Sequence, residues 1–483
     1  MENLERLVIE LCKLPNEIQW VEFKSNNYDP HMIGQDISAL ANSAALHGRV
    51  RSYMIWGVDD ETHQIIGTDK NLQNIKKGNQ ELESWLRQLL SKNSDFEFHN
   101  ISIEGKNVAI LIIYKALNTP VTFEKIDYIR IGSYTKKLNE FPALQSQLWD
   151  KIRNDRFEEQ YVAIDLTAED AVRKLDYNVY FENTHNPLPS DLCGVAHYMQ
   201  EEDIIVKQDN GLFSITNLGA ISFAKNLNEF PTVSRKALRI VQYDGNNRLN
   251  ILKETTRLKG YASDFENSLQ FIMALLPSRQ PIINGIRTVQ NAFPEVVVRE
   301  ILANALIHQD FSVTGAGPTI EIFNNRIEVI NPGVPVVDIN RIIDTPPKSR
   351  NEKLASLLRR LRFCEELGTG WDKVILECES HKLPAPAIEL YGESNTKVTV
   401  FSFRSFSDLT PEEKLWSCYL HCCIKHAQNE FLTNKSLRER FGLESSGSSA
   451  ISRLINLAIE NKLIKPVDPA ASSRYMKYQP YWS

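Results

Sequence analysis

Hydrophobic and polar residues alternate along this chain with two periods, and the switches between them outline its elements. Residues 20–24, W-V-E-F-K, alternate with period two and predict a strand. Residues 30–46 follow as a helix containing S-A-L-A-N-S-A-A, and residues 52–58, S-Y-M-I-W-G-V, as a buried strand ending in Asp59-Asp60. Further strand signals lie at 108–114 and at 128–133, Y-I-R-I-G-S. A proline-bearing loop at 186–191 precedes a hairpin, 204–207 and 212–215 around a turn at 209–211. Residues 237–243 predict a strand and 263–276 a helix. A helix is expected at 298–309, then a strand from 324 that runs into an Asn-Pro-Gly turn at 331–333. A second glycine turn, E-L-G-T-G-W at 366–371, leads into a helix-compatible run at 372–380. The tail predicts helices at 411–426, 433–440 and 446–462, with Thr410 and Thr433 as N-caps. A strand at 463–466 and a basic, aromatic segment at 474–478 complete it.

The segment 298–309, V-R-E-I-L-A-N-A-L-I-H-Q, is the most specific for chemistry. Glu300, Asn304 and His308 are spaced four apart, so a helix stacks them on one face. A carboxylate can orient a water, and an amide oxygen can ligate Mg²⁺ beside phosphates. The competing reading is an amphipathic helix whose polar face is regular for no chemical reason.

The pieces at 298–309, 324–335 and 366–380 together resemble the GHKL ATP-binding domain, most closely its RecG-like, divergent-AAA C-terminal form, over residues 285–405. The resemblance implies a Bergerat α/β sandwich that binds ATP. It makes Glu300 the candidate base and Asn304 the Mg²⁺ ligand; His308, on the same helix face, is a further candidate cofactor contact by its spacing. Asn331 and Gly333 would form the adenine turn, and Gly368, Thr369 and Gly370 the backbone approach to phosphate. The family usually has Asp where this chain has Asn331, which argues against fast hydrolysis. No G-x-x-x-x-G-K-[ST] occurs in the chain, so no P-loop helicase is expected.

The N-terminal order E-F-K, A-x-A-N-like helix, strand with terminal aspartates and Y-x-R-x-G-S resembles the AlbA-type domain of the Schlafen family. That resemblance implies an α+β domain that handles nucleic acid. Schlafen-type nucleases hold a divalent metal with acids spaced as Glu17 and Glu22 are here, plus a third acid, which would be Asp59 or Asp60. Lys24 would stabilise charge on the phosphate. The turn at 42–49 departs from the family pattern, with a single glycine flanked by Arg49 and Arg51. These two, with Arg130, are candidate phosphate contacts; solvated or structural cations are the alternative.

Composition narrows the choices. In 483 residues, 55 Lys+Arg against 61 Asp+Glu give a net charge of −6, so any nucleic-acid contact must come from local patches. No apolar run is long enough to span a membrane and residues 1–14 lack a signal-peptide pattern, so a cytoplasmic protein without a membrane partner is expected. The seven cysteines lack a disulfide framework. Cys418, Cys422 and His426 share a helix face, but one helix cannot surround an ion, and a buried helix face is the better reading than zinc.

Four domains are therefore expected: a Schlafen/AlbA-like domain (1–155), a connecting lobe (156–285), a GHKL-like domain (286–408) and a winged helix-turn-helix (409–483). Arg438, Arg440, Arg453, Arg474 and Lys477 would lie near a DNA backbone. Two functions compete. One is an ATP-regulated, Mg²⁺- or Mn²⁺-dependent nuclease cutting RNA or DNA, with phage defence as a natural context. The other is an ATP-responsive transcriptional regulator in which Glu17 and Glu22 are structural. Either is expected to work as a homo-oligomer.

Overall fold

The computed structural model describes all residues except 1, 15–17, 154–155, 209–210, 280–281, 284–285, 288–289, 347, 365–369 and 473–474; the side chains of 2–3 and 278–290 are also outside it. The chain divides into two compact units. One comprises residues 1–171 with 205–216, and the other residues 172–204 with 217–483.

The first unit is built on a four-stranded sheet in the order Val21–Lys24, Arg51–Trp56, Lys106–Tyr114, Phe96–Ile103. The first pair is parallel and the others antiparallel. Met54 and Trp56 pack into one apolar cluster and Tyr53 and Ile55 into another. Burial on both faces explains why 52–58 reads as a continuous apolar run. The helix Glu2–Leu11 supplies Leu7, Val8 and Leu11 to the second cluster.

The helix Pro30–Leu46 supplies the first cluster, and Asp29 caps it by accepting from the His31 and Met32 amides. Its S-A-L-A-N-S-A-A segment has a structural explanation. Ser38 Oγ donates to Val121 O and accepts from the Tyr128 amide. Asn42 Nδ2 donates to Val121 O (2.9 Å) and Tyr128 O (2.8 Å), while its Oδ1 accepts from the Val121 amide. Ser43 Oγ accepts from the Arg130 amide. Three buried polar side chains thus stand in for a neighbouring strand, satisfying backbone groups around Ile126–Ile131.

The second unit carries a six-stranded sheet, ordered Ile251–Arg257, Leu238–Tyr243, Thr319–Ile322, Arg326–Pro332, Asn395–Phe401, Ala387–Tyr391. Only Leu238–Tyr243 and Thr319–Ile322 pair in parallel; the other pairs are antiparallel. The helices Tyr261–Leu275, Glu295–Ile307 and Gly370–Ser380 pack together, and Glu295–Ile307 lies against the Arg326–Pro332 strand. This is the expected two-layer α/β sandwich.

The expected connecting lobe is not a separate body. Leu238–Tyr243 and Ile251–Arg257 share hydrogen-bond register with the nucleotide-type sheet, and Tyr161–Leu166 pairs with Phe213–Thr216 in the first unit. Sheet pairing across residue 285 overrides a boundary drawn from local sequence. The predicted 209–211 turn lies largely outside the described residues.

The C-terminal part has three helices, Pro411–Ala427, Asn434–Arg440 and Ser448–Glu460. Ile464–Pro466 and Tyr478–Pro480 then pair antiparallel. Thr410 with Glu413 and Thr433 with Ser436 form reciprocal caps. Cys418, Cys422 and Cys423 are buried in the core shared by these helices, and burial pushes the Cys418 and Cys423 thiols up to about 12. Among the described residues no helix is long and apolar enough to cross a membrane.

Candidate functional site

Glu295–Ile307 begins after Pro294 and is apolar over most of its surface, so it sits deep between sheet and neighbouring helices. Glu300 is buried, and Asn304 and His308 are partly buried. All three line a cleft of about 480 Å³, together with Asn331 and Gly370. Of the other expected residues, Gly333 is not part of this lining, and Gly368 and Thr369 lie outside the described residues.

Four features make the cleft specific. Asn304 Nδ2 is buried without a hydrogen-bond partner. Such an orphan is costly unless a ligand satisfies it. Second, Gly370 abuts Glu300: a Cβ there would lie 2.6 Å from Glu300 Oε2 and 4.0 Å from Asn304 Nδ2. Third, burial depresses His308 to about 4, with Arg350 adding repulsion, so its imidazole is neutral at pH 7. Fourth, Lys348, Arg350 and Arg359 contribute positive charge to the lining.

Asn331, which also lines the cleft, is bonded to the end of the Glu295–Ile307 helix. With its amide oriented to satisfy both ends, its nitrogen donates to Ala305 O (2.9 Å) and its oxygen accepts from the Gln309 amide (3.1 Å). Asn351 Nδ2 donates to Ile307 O (2.7 Å) and Gln309 O (2.8 Å). The two asparagines satisfy carbonyls that the helix end leaves over. An uncharged amide suits that task because it both donates and accepts, which Asp cannot do. Gly333, at φ +107°, turns the chain beside Arg350 and Asp310.

The first unit presents its charged residues differently. Glu22 and Lys24 share one face of Val21–Lys24 and are ion-paired, and the Arg130 guanidinium pairs with the other Glu22 oxygen. Arg130 Nη1 also donates to Thr135 Oγ1 (3.2 Å) and lies 3.8 Å from Asp36 Oδ1. Thr135 Oγ1 in turn donates to Asp36 (2.5 Å). Burial raises the Asp36 carboxyl above the usual carboxylate range, opposed by the Thr135 hydroxyl and by Arg130. Sequence reasoning passed over Asp36, although a lone acid inside an apolar helix is a signal of burial with a partner.

Asp59 is fixed by Thr62, whose amide and hydroxyl bond its Oδ1 at 2.9 and 2.7 Å, and Asp60 is exposed. Glu17 lies outside the described residues. Among the described residues no group of three His, Cys, Asp or Glu side chains is placed to hold a metal. The Glu22 carboxylate is paired with both Arg130 and Lys24.

The expected phosphate contacts also sort by burial. Arg130 is buried and paired with Glu22. Arg51 donates to Asp165 (2.7 Å) and covers Tyr114, while Arg49 covers Trp20. Arg440 is buried and lies 3.4 Å from Glu379. Arg438 is partly buried and bonded to Asn434 (3.0 Å). Arg453 and Lys477 are exposed; Arg474 lies outside the described residues.

Comparison with known proteins follows this division. Residues 17–139 match the family model described as "Schlafen, AlbA_2". Residues 315–400 match HATPase_c_4, described as "Putative ATP-dependent DNA helicase recG C-terminal". A comparison with the curated proteins gives no match. A solved structure, the DIP2311 protein from Corynebacterium diphtheriae, aligns over 99% of this chain and 98% of its own at 14% identity and a TM-score of 0.44. The chain thus joins a Schlafen/AlbA-type domain to a RecG C-terminal-type, ATPase-like domain.

Proposed function

We propose that this protein binds ATP in the Glu300–Asn304 cleft and acts on nucleic acid as an ATP-responsive binding protein. The observation that carries the reading is the cleft itself. A buried amide without a partner, a glycine against the carboxylate and three cations in the lining suit a nucleotide polyphosphate. Asn304 would hold the Mg²⁺ that accompanies ATP, which supplies charge neutralisation at the phosphates. Glu300 would orient a water at the terminal phosphate. Neutral His308 can donate one hydrogen bond and accept another without adding charge.

The nucleic-acid half rests on the Schlafen/AlbA match and on the C-terminal element order, three helices then a hairpin, which is that of a winged helix. Exposed Arg453 and Lys477 are its candidate phosphate contacts. Each replaced by alanine should weaken duplex binding and lower the salt slope by about one. ATP would set the oligomeric state of the regulator.

The nuclease reading needs Glu17, Glu22 and Asp59 or Asp60 to converge on a metal. The pairing of Glu22 with Arg130 and Lys24 favours the binding reading over it. Cleavage of labelled tRNA, single-stranded DNA and duplex DNA with Mg²⁺ or Mn²⁺, with and without ATP, separates them. Gel shifts without cutting are expected. Cutting that vanishes in Glu17→Ala/Glu22→Ala would overturn the binding reading in favour of the nuclease.

A further inference from the structure

The wall of the cleft between the two glycine turns has two sides. Ile339 and Ile342 face the cleft. The residues between and beside them hold the C-terminal three-helix part. Asn340 O accepts a hydrogen bond of 2.5 Å from Tyr419 Oη, which in turn accepts from Trp482 Nε1 (3.1 Å). The Arg341 guanidinium lies over the Trp482 ring, 4.6 Å from its centroid. Ile343 packs against the core that contains Cys418, Leu420 and Ile455. One short segment therefore touches the cleft with Ile339 and Ile342 and the C-terminal part with Asn340, Arg341 and Ile343.

The far side of the cleft has a second tie. Gly370 at the start of the Gly370–Ser380 helix meets Glu300, and Glu379 near its end meets the C-terminal helices. Glu379 takes His421 Nδ1 at 2.9 Å and Arg440 Nε at 3.4 Å on its two oxygens. Arg440 Nη2 also donates to Leu383 O (2.8 Å), and Trp416 Nε1 to Pro386 O (3.0 Å). Ile375, from the middle of the helix, belongs to the same core as Cys418. A buried charge pair reinforced by hydrogen bonds resists sliding, because separating it strands charge away from water. The Gly370–Ser380 end is thus the fixed anchor, and the 339–343 segment is the lighter contact.

We infer that nucleotide in the cleft sets the position of the C-terminal three-helix part through residues 339–343, so that ATP occupancy and nucleic-acid binding by residues 411–483 are thermodynamically linked. The inference rests on the nucleotide reading of the cleft. A ligand that touches Ile339 and Ile342 orders a segment that is also held by Tyr419 and Trp482, and linkage makes the effect reciprocal. Duplex DNA bound to the C-terminal part tightens ATP binding by the factor by which ATP tightens DNA binding.

The test is hydrogen–deuterium exchange of the full-length protein with and without Mg·ATP, beside Arg341→Ala/Tyr419→Phe. The double variant removes the stack and the hydrogen bond, and leaves the Glu379 anchor in place. In the wild type, ATP is expected to slow exchange both at 295–345 and at 411–427. In the variant, protection persists at 295–345 and falls at least about five-fold at 411–427. Protection confined to 295–345 in the wild type, or undiminished at 411–427 in the variant, overturns the linkage while the nucleotide reading stands. Absence of any ATP protection at 295–345 overturns the nucleotide reading and the linkage with it.

Discussion

The two charged constellations of this chain use the same residue types and are in opposite states. At Glu22 a carboxylate is closed by Lys24 and Arg130, and a second acid, Asp36, is satisfied through Thr135. At Glu300 the neighbouring amide is buried with its nitrogen unpaired, and the cations stand around an open cleft. A closed set stabilises the protein and has little capacity left for a ligand. An unfinished set costs stability and gains it back when something binds. Residue type therefore does not separate structure from function here, and neither does one orphaned atom, since Arg130 Nε is also buried without a partner; what differs is that the Glu300 set lines an open cleft while the Glu22 carboxylate is paired with two cations.

The largest effect that would sharpen this contrast is at Arg130. Its side chain is 3% exposed and faces two carboxylates. Arg130→Ala leaves Glu22 with Lys24 alone and takes from Asp36 its neighbouring guanidinium, and should cost about 3–5 kcal/mol in urea unfolding. A cost under about 1 kcal/mol would mean that the Glu22 set is open to solvent or to ligand, and the contrast would fail.

Gly370→Ala acts on the other constellation. Its Cβ would press on Glu300, at an overpacking cost of about 1–3 kcal/mol, and should lower ATP affinity about ten-fold or more. Unchanged affinity by equilibrium dialysis would detach Gly370 from the nucleotide.

The smallest predicted effect is a pH slope. His308 has a folded pKa of about 4, below the roughly 6.5 of an unfolded chain. The neutral ring is favoured in the folded state, so its contribution is complete above about pH 6.5 and is lost as pH falls towards 4. Urea unfolding of the wild type should therefore lose more stability between pH 7 and 5 than that of His308→Asn. Equal losses would show that His308 is not buried as described.

Much of the cleft was legible in the sequence because its residues lie on one helix. Glu300, Asn304 and His308 declare a shared face by spacing alone, and Gly370 follows from a glycine turn. Lys348, Arg350 and Arg359 were not legible, because their approach depends on how a long connection folds back. The backbone partners of Asn331 were not legible for a related reason. Its partners, Ala305 and Gln309, are backbone groups at a helix end, and no side-chain pattern announces them. In the first unit, Ser38, Asn42 and Ser43 are recognisable as a motif, yet their work is to bond the backbone near Val121 and Tyr128. Glu22 and Lys24 could be placed on one strand face, whereas Arg130, 108 residues from Glu22, could not be assigned as the partner of Glu22. The sheet of the strands at 238–257, inside the expected connecting lobe, was not legible either, because they find it only through long-range register.

The central claim is that the Asn304 amide is unfinished because nucleotide completes it. Isothermal titration of Mg·ATP into the wild type and Asn304→Ala, with melting temperatures of both apo proteins, tests this most directly. The account predicts binding by the wild type, at least about ten-fold weaker binding by the variant, and an apo melting temperature in the variant that is equal or higher. Equal ATP binding by the two proteins, or none by the wild type, would contradict it.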